Sequence, residues 1–269
     1  MTPEDIELFS RIVKKRSGLV LTPEKAYLLE SRLLPVARKH ELNGLEGLAS
    51  AVRVGSPEPI LEDITEAMTT NETFFFRDTG PFDRFREDVL PNLLESRAAT
   101  KQLRIWCAAA STGQEPYSLA IILMEMASRL AGWRVEIVGT DISNEALNKA
   151  KEGLYSQFEV QRGLPIQTLV KNFAQEDGNW RISENIRKMV SYKKFNLLDD
   201  FSSFGRFDIV FCRNVLIYFE SDDKAQILNR IRTQMPNDGR LFLGGAETVV
   251  GITNKFSGIP ELRGVFAPA

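Results

Sequence analysis

Small and polar residues stand where apolar runs of the sequence end, and these positions could do chemistry. The run 103–108 is followed by small residues up to Gly113, which let a ligand approach the backbone closely. In open α/β sheets, ligands bind at the carboxyl ends of strands, where this turn would lie. The turn predicts a nucleotide-type site, although tight packing would also favour small residues. It is not the G-x-G-x-x-G fingerprint of dinucleotide sites.

A carboxylate, Asp141, ends the next apolar run. It would lie beside the small-residue turn and could accept hydrogen bonds from two ribose hydroxyls. Aspartate also commonly caps helices, and a helix is expected to begin near Ser143. Because the turn and the acid occur in the order that a nucleotide site requires, the ribose role is the favoured interpretation.

Two asparagines follow further apolar runs, Asn196 after one and Asn214 after another. Each offers a donor and an acceptor to a purine edge or to an amino acid headgroup. Arg213 and Asn214 interrupt an apolar run, and burying them without partners would cost several kcal/mol. A bound ligand is one natural partner for them, and neighbouring loops are the other.

The elements that would position these residues alternate between short apolar runs and helical segments, a pattern typical of a parallel sheet with crossover helices. The apolar runs are 103–108, 135–139, 207–212 and 240–244, and helices are expected at about 116–131, 144–151 and 222–234. Strands at 180–182 and 189–195, around a turn at 177–179, predict a small antiparallel insertion that ends in the third core strand. A doubly wound α/β domain follows from this order.

The first 75 residues instead predict a small helical bundle. Thr2-Pro3 and the segment 22–24 are helix start signals, and apolar residues recur at helical spacing after each of them. Helical spacing returns between residues 60 and 68.

Composition limits the class of protein. Of 269 residues, 43% are hydrophobic and 26% charged, which is ordinary for a globular protein. The formal net charge of -2 gives no reason to seek nucleic acid or anionic lipid. No apolar run approaches the ~20 residues that a bilayer requires, so a cytoplasmic protein is expected. Cys107 and Cys212 are expected to be buried thiols, and with His40 as the one histidine they leave little material for a metal site.

Several runs of the sequence together resemble one known family. They are Asn-Glu-Thr-Phe-Phe-Phe-Arg-Asp at 71–78, Ala-Ser-Thr-Gly-Gln-Glu-Pro-Tyr-Ser at 110–118, and the segments 139–142, 196–197, 212–219 and 238–243. In this order they closely resemble the CheR family of chemotaxis protein-glutamate methyltransferases, over nearly the whole chain. One departure is Gln114, where the family usually has a glutamate, while Glu115 is kept.

The resemblance implies a Rossmann-like class I methyltransferase sheet with a small N-terminal helical domain and an inserted antiparallel β-subdomain. The implied limits are 1–75 for the helical domain and 76–269 for the methyltransferase domain, with the inserted subdomain within 154–195. The implied cofactor is S-adenosyl-L-methionine, with S-adenosyl-L-homocysteine as product. The implied reaction forms methyl esters on glutamate side chains of chemoreceptors for chemotactic adaptation.

The resemblance also implies roles for individual residues. Those expected at the cofactor are Asn71, Thr73, Arg77, Glu115, Asp141, Asn196, Leu197, Asn214 and Val215. Arg77 and Tyr218 are expected to be catalytic and to face the methyl transfer.

The expected partner is the cytoplasmic domain of methyl-accepting chemotaxis receptors. The family docks a basic helix of its N-terminal domain on acidic receptor helices, and here Arg32 and Arg38 correspond to it. No nucleic acid and no direct membrane insertion are expected, and the enzyme is expected to be a monomer. Some members also grip the receptor tail through the inserted sheet, but the connection 173–180 is short for that role, so independence from the tail is expected.

Other classes of protein would contain part of the same residue pattern. An NAD-dependent dehydrogenase could use the same strand, turn and acid, but the fingerprint and an evident hydride-transfer acid or base are absent. A methyltransferase for RNA is disfavoured because the sequence has no extended basic stripe. A methyltransferase for a small molecule remains an alternative, whereas the complete set of site residues disfavours an inactive cofactor-binding adaptor.

Overall fold

The computed structural model describes residues 1–21, 26–55 and 57–269. It divides the chain into two compact units. We call Met1–Thr70 with Tyr218–Asp223 the helical unit, and Asn71–Ile217 with Lys224–Ala269 the sheet unit. Within the described ranges, no helix combines the length and the apolar character needed to cross a bilayer.

Helices packed around one apolar core form the helical unit. In its described residues they are α1 (Pro3–Ser17), α2 (Ala26–Lys39), α3 (Gly44–Arg53) and α4 (Glu58–Met68). The hydroxyl of Thr2 accepts a hydrogen bond from the N–H of Asp5, whose carboxylate accepts one from the N–H of Thr2. This reciprocal cap fixes the start of α1. The predicted bundle is confirmed, with α3 as an addition, and the start signal at 22–24 lies outside the described residues.

Strands form the framework of the sheet unit. In the stretch 57–269 they are β1 (Gln102–Ala108), β2 (Arg134–Asp141), β3 (Leu154–Ser156), β4 (Phe173–Glu176), β5 (Asn179–Ile182), β6 (Val190–Lys194), β7 (Ile209–Cys212), β8 (Arg240–Leu243), β9 (Phe256–Gly258) and β10 (Val265–Pro268). The main sheet has the order β6-β2-β1-β7-β8-β10-β9. Its strands from β6 to β8 are parallel, and β10 is antiparallel to both of its neighbours. The predicted doubly wound sheet is confirmed, while β9 and β10 were not predicted.

Helices precede β1 or connect these strands. They are α5 (Gly80–Arg84), α6 (Leu90–Ser96), α7 (Gln114–Glu125), α8 (Asn144–Glu152), α9 (Gln157–Gln161), α10 (Ile166–Asn172), α11 (Glu184–Arg187) and α12 (Ser221–Thr233), with a π-helical turn at Phe85–Val89 between α5 and α6. The prediction for 116–131 was wrong at its end, because α7 stops at Glu125. Its buried face covers residues 114–123, whereas Met124 is exposed. Since packing supplies most helix stability, the helix ends where burial ends.

The insertion between β2 and β6 is a small antiparallel sheet in the order β3-β5-β4. Asp177 and Gly178 join β4 to β5 and have φ angles of 47° and 79°. Two left-handed residues between paired strands are typical of the type I′ hairpin that Asp-Gly favours. The predicted insertion and its turn are confirmed, and β6 follows it as the third parallel strand.

The main sheet is packed with aromatic side chains on both faces. Trp106 on β1 is fully buried and donates a hydrogen bond from Nε1 to Thr140 Oγ1 at 2.9 Å. Both cysteines, Cys107 and Cys212, are buried in central strands of this sheet. Burial raises the pKa of each thiol well above its ordinary value, so both are unreactive core residues, as the sequence indicated.

Gly163 lies against the segment that leads into α5. It has a φ of 95°, and a β-carbon added there would lie 1.9 Å from the carbonyl oxygen of Phe75. Gly178 has a similar φ of 79°, but a β-carbon there would meet nothing within 4 Å. We therefore expect Gly178→Ala to cost about 1–2 kcal/mol through its left-handed backbone alone. Gly163→Ala should have the same backbone cost and lose roughly 1–3 kcal/mol more, because its added β-carbon would overlap the carbonyl oxygen of Phe75.

Chemical denaturation of the two variants measures this difference. Equal losses in the free energy of unfolding would show that the contact between Gly163 and Phe75 does not constrain the fold.

Candidate functional site

The site is built on one edge of the main sheet. Strands β6, β2, β1 and β7 are parallel neighbours, so their carboxyl ends lie side by side. Asp141 ends β2, Asn196 follows β6, Asn214 follows β7, and Glu115 lies in the first turn of α7, after β1. The structure thus brings these predicted residues to the edge where open α/β sheets bind ligands.

The carboxylate of Asp141 organises two turns at this edge. It is 6% exposed, and its Oδ2 accepts a hydrogen bond from the N–H of Ser111 at 2.8 Å. Its Oδ1 accepts one from the N–H of Ser143 at 2.9 Å. The cap of α8 is the hydroxyl of Ser143, which accepts from the N–H of Ala146 at 3.0 Å. Asp141 is therefore not the helix cap that the sequence left open as an alternative.

The small-residue turn between β1 and α7 has an unusual backbone. Ala109 and Ser111 have φ angles of 67° and 50°, and Gly113 has a φ of 94°. Each left-handed residue that is not glycine costs roughly 1–2 kcal/mol, and such strain is concentrated at functional sites. The Ser111 hydroxyl also donates to the carbonyl oxygen of Asn71 at 2.9 Å. The turn, which we call the small-residue loop (109–113), is thus joined to the predicted site residue Asn71 and to Asp141.

Arg213 is buried at the end of β7 and is paired on two sides. One guanidinium nitrogen donates to Glu115 Oε2 at 2.8 Å. The other donates to Asp78 Oδ2 at 2.9 Å and to the carbonyl oxygen of Arg77 at 2.8 Å. The observed partners are therefore a neighbouring loop and helix α7, which is one of the two possibilities that the sequence left open, while Nε of Arg213 has no hydrogen-bond partner among the described residues.

Glu115 and Gln114 begin α7 and are both buried. Burial raises the pKa of Glu115, while the guanidinium of Arg213 acts in the opposite direction. The side-chain oxygen of Gln114 accepts a hydrogen bond from the Thr112 hydroxyl at 2.7 Å. A neutral amide at position 114 therefore holds the small-residue loop without adding a second buried negative charge beside Glu115.

Arg77 and Thr73 lie in the segment that precedes α5, and both are partly buried. The guanidinium of Arg77 donates to the carbonyl oxygen of Glu72 at 2.8 Å and lies 5.6 Å from the centre of the Phe74 ring. Arg162 pairs with Glu72 at 2.7 Å and lies 4.4 Å from the same ring. The segment is thereby held against the insertion, and the side chain of Arg77 is held by the same two residues of the segment.

Asn196 and Leu197 form the turn after β6. Asn196 Oδ1 accepts from the N–H of Leu198 at 3.0 Å, and Leu197 is 6% exposed. The N–H of Phe195 donates to the carbonyl oxygen of Asp141 at 2.9 Å. The turn therefore begins beside the end of β2.

Asn214 and Val215 are held by an acid that sequence reasoning missed, Glu247. Its carboxylate accepts hydrogen bonds from the N–H groups of Asn214 at 2.7 Å, Val215 at 2.9 Å and Gly244 at 2.7 Å. A fourth, longer bond of 3.3 Å comes from Ile217. The signal that could have revealed this residue is an acid among small residues just after β8, the same pattern that identified Asp141.

The second predicted catalytic residue, Tyr218, belongs to the helical unit. Its carbonyl oxygen accepts a hydrogen bond from the N–H of Val20 at 3.0 Å. In the same unit, Arg32 donates to the carbonyl oxygens of Met68 at 3.0 Å and Thr69 at 2.9 Å. Arg38 is exposed near the end of α2. Arg32 thus closes the end of α4, while Arg38 presents its charge to solvent.

Comparison with known proteins matches both parts of the chain to one family. Residues 4–69 match the family model described as CheR methyltransferase, all-alpha domain. Residues 71–265 match the model described as CheR methyltransferase, SAM binding domain.

Relatives match over almost their full length. The chemotaxis protein methyltransferase of Vibrio anguillarum is 39% identical over 252 residues, covering 92% of this chain and 90% of the relative. Chemotaxis protein methyltransferase 1 of Pseudomonas aeruginosa is 40% identical over 256 residues, covering 94% and 93%. Among solved structures, magnesium protoporphyrin IX methyltransferase of Synechocystis PCC 6803 has a TM-score of 0.36 and 17% identity, covering 70% of this chain and 76% of that one.

The two family models follow one another along the chain in the order of the two units. The second model identifies S-adenosylmethionine as the cofactor of the sheet unit. The chain therefore belongs to the CheR methyltransferase family.

Proposed function

We propose that this chain transfers a methyl group from S-adenosylmethionine to glutamate side chains of chemoreceptors, forming glutamyl methyl esters for chemotactic adaptation. The observation that carries the proposal is the match of both CheR domains along one chain whose sheet edge holds Asp141 beside a strained small-residue turn. The names of the relatives support the chemotactic role. We further propose that the enzyme works in the cytoplasm, as a monomer, on the cytoplasmic domain of the receptors, without nucleic acid.

The residues at the sheet edge fit this cofactor. A buried carboxylate at the end of β2 suits a ribose, and the asparagines after β6 and β7 supply donors and acceptors for the adenine or the amino acid portion. Asn71, Thr73 and Arg77 would complete the site from the segment before α5, with Glu115, Leu197 and Val215 lining it.

The chemistry that S-adenosylmethionine supplies when bound is an electrophilic methyl group on a sulfonium. A glutamate carboxylate has a reference pKa of ~4.3 and is already ionised near neutral pH, so the protein needs no general base. The task of the protein is to orient the carboxylate and exclude water from it. Arg77 is proposed to orient either the incoming carboxylate or that of the methionine portion. Tyr218 is proposed to offer its hydroxyl to the reacting oxygen.

The first test concerns the ribose contact. Loss of charge-assisted hydrogen bonds should cost about 1.5–3 kcal/mol, so Asp141→Ala should weaken binding of S-adenosylmethionine and S-adenosylhomocysteine by roughly tenfold or more. Glu136→Ala is the matched control, because Glu136 lies on the same strand and pairs with Arg104 at 2.7 Å instead. Calorimetric titration measures both affinities. Unchanged affinity in a folded Asp141→Ala protein would contradict the site assignment.

The second test concerns the mechanism. With saturating substrates, turnover should stay nearly flat from about pH 6 to 8.5, because no required group titrates there. Arg77→Ala should lose turnover by roughly a hundredfold if the guanidinium makes a transition-state contact. His40→Gln should remain active, because His40 pairs with Asp63 at 2.6 Å in the helical unit. A rate that rises roughly tenfold per pH unit through this range would mean that a base is required.

The third test concerns receptor docking. Exposed charge pairs contribute about 0.2–1 kcal/mol and are screened by salt, so Arg38→Ala should raise the KM for receptor up to about fivefold at low ionic strength. It should also weaken the salt dependence of KM. Arg11→Ala is the matched control, since Arg11 is another exposed arginine of the helical unit.

Arg32→Ala is expected to lower the stability of the helical unit as well, because Arg32 closes the end of α4. If Arg38→Ala and Arg11→Ala respond alike to salt, the docking surface does not include Arg38.

A further inference from the structure

One side chain of the insertion contacts the small-residue loop. Tyr155 lies on β3 and is fully buried. Its hydroxyl donates a hydrogen bond to the carbonyl oxygen of Thr112 at 2.8 Å. Thr112 directly follows Ser111, whose N–H is bound by Asp141. The insertion is therefore hydrogen-bonded to the loop at Thr112, the residue that follows the one bonded to the carboxylate of Asp141.

The ring of Tyr155 is fixed by aromatic neighbours. Phe75 packs edge-on against it, with ring centres 5.0 Å apart, and Phe173 of β4 lies 6.5 Å away. Burial raises the pKa of the Tyr155 hydroxyl well above its ordinary value, so the group remains a hydrogen-bond donor across the working range of pH. The hydroxyl is thus a rigid and permanent donor to the loop.

The small-residue loop needs such restraints. Ala109 and Ser111 adopt left-handed backbone angles that are unfavourable for residues with a β-carbon. A strained backbone persists only where the surrounding structure determines it from several sides. Besides Asp141 and Asn71, the hydroxyl of Tyr155 supplies such a restraint, and it comes from a separate sheet.

We propose that Tyr155 is a positioning residue for S-adenosylmethionine: by holding the Thr112 carbonyl, the insertion maintains the shape of the small-residue loop. This inference rests on the proposed assignment of the loop and Asp141 to cofactor binding. It gives the inserted sheet a role in the cofactor site, separate from any contact with a receptor.

Tyr155→Phe tests the proposal, because phenylalanine keeps the ring and removes only the hydroxyl. Tyr117→Phe is the matched control. Tyr117 is also buried, and its hydroxyl donates to the carbonyl oxygen of Ala150 at 2.6 Å, in helix α8, rather than to a carbonyl of the small-residue loop. Both variants lose one buried hydrogen bond from a tyrosine to a backbone carbonyl, so their denaturation midpoints should fall comparably.

Affinity separates the two variants. Tyr155→Phe should raise the Kd for S-adenosylhomocysteine by about fivefold to tenfold, which corresponds to a lost hydrogen bond. The KM for S-adenosylmethionine should rise with it, while kcat at saturating cofactor stays unchanged. Tyr117→Phe should leave both the Kd and the KM at the wild-type values.

Two outcomes would overturn the inference. An unchanged Kd in Tyr155→Phe would mean that the hydroxyl does not shape the site, and equal weakening in both variants would mean that any loss of stability has this effect. The same titration of Asp141→Ala distinguishes the two proposals. If Asp141→Ala weakens binding and Tyr155→Phe does not, only the role of Tyr155 fails. If neither weakens binding, the proposed site itself fails.

Discussion

The site depends on one buried positive charge, the guanidinium of Arg213. A charge in the protein interior is tolerated only when it is paired and hydrogen-bonded, and removing one partner typically costs about 3–5 kcal/mol. Here the partners come from helix α7 through Glu115 and from the segment before α5 through Asp78 and the carbonyl of Arg77. The sheet unit can therefore fold only when strand β7 contacts both helix α7 and that segment. The same contacts bring Asn71 to the small-residue loop and, through Ser111, to Asp141.

Carboxylates that accept several backbone N–H groups complete this edge of the sheet. Asp141 joins the turns after β1 and β2, and Glu247 joins the turns after β7 and β8. Each carboxylate satisfies donors that would otherwise be buried without partners, which is a cost that folded proteins avoid. These polar groups at the strand ends therefore stabilise the fold whether or not a ligand is bound. A ligand that binds there meets a preformed surface.

The sequence predicted those parts of the molecule that local pattern determines. The parallel strands, the hairpin at Asp177 and Gly178 and the position of Asp141 all follow from residues that are neighbours in the chain. Glu247 was missed because its partners Asn214 and Val215 are 33 and 32 residues away in sequence, so its role appears only when β7 and β8 pair. Tyr155 was missed for a similar reason. Its hydrogen-bond partner Thr112 is 43 residues away in sequence, so the sequence alone does not distinguish Tyr155 from a tyrosine that only packs in the core. The end of α7 depended on where packing stopped, which periodicity alone does not indicate.

The two cysteines can also report on the unfolding of the protein. Both lie in adjacent central strands of the sheet unit, and the sequence of the helical unit contains none. A thiol buried in this way reacts with an alkylating reagent only when its strand becomes exposed. The chain therefore carries a natural reporter for opening of the sheet alone, without an introduced label. Movements confined to the helical bundle would be silent to it, so alkylation follows the opening of the sheet unit by itself in the unmodified protein.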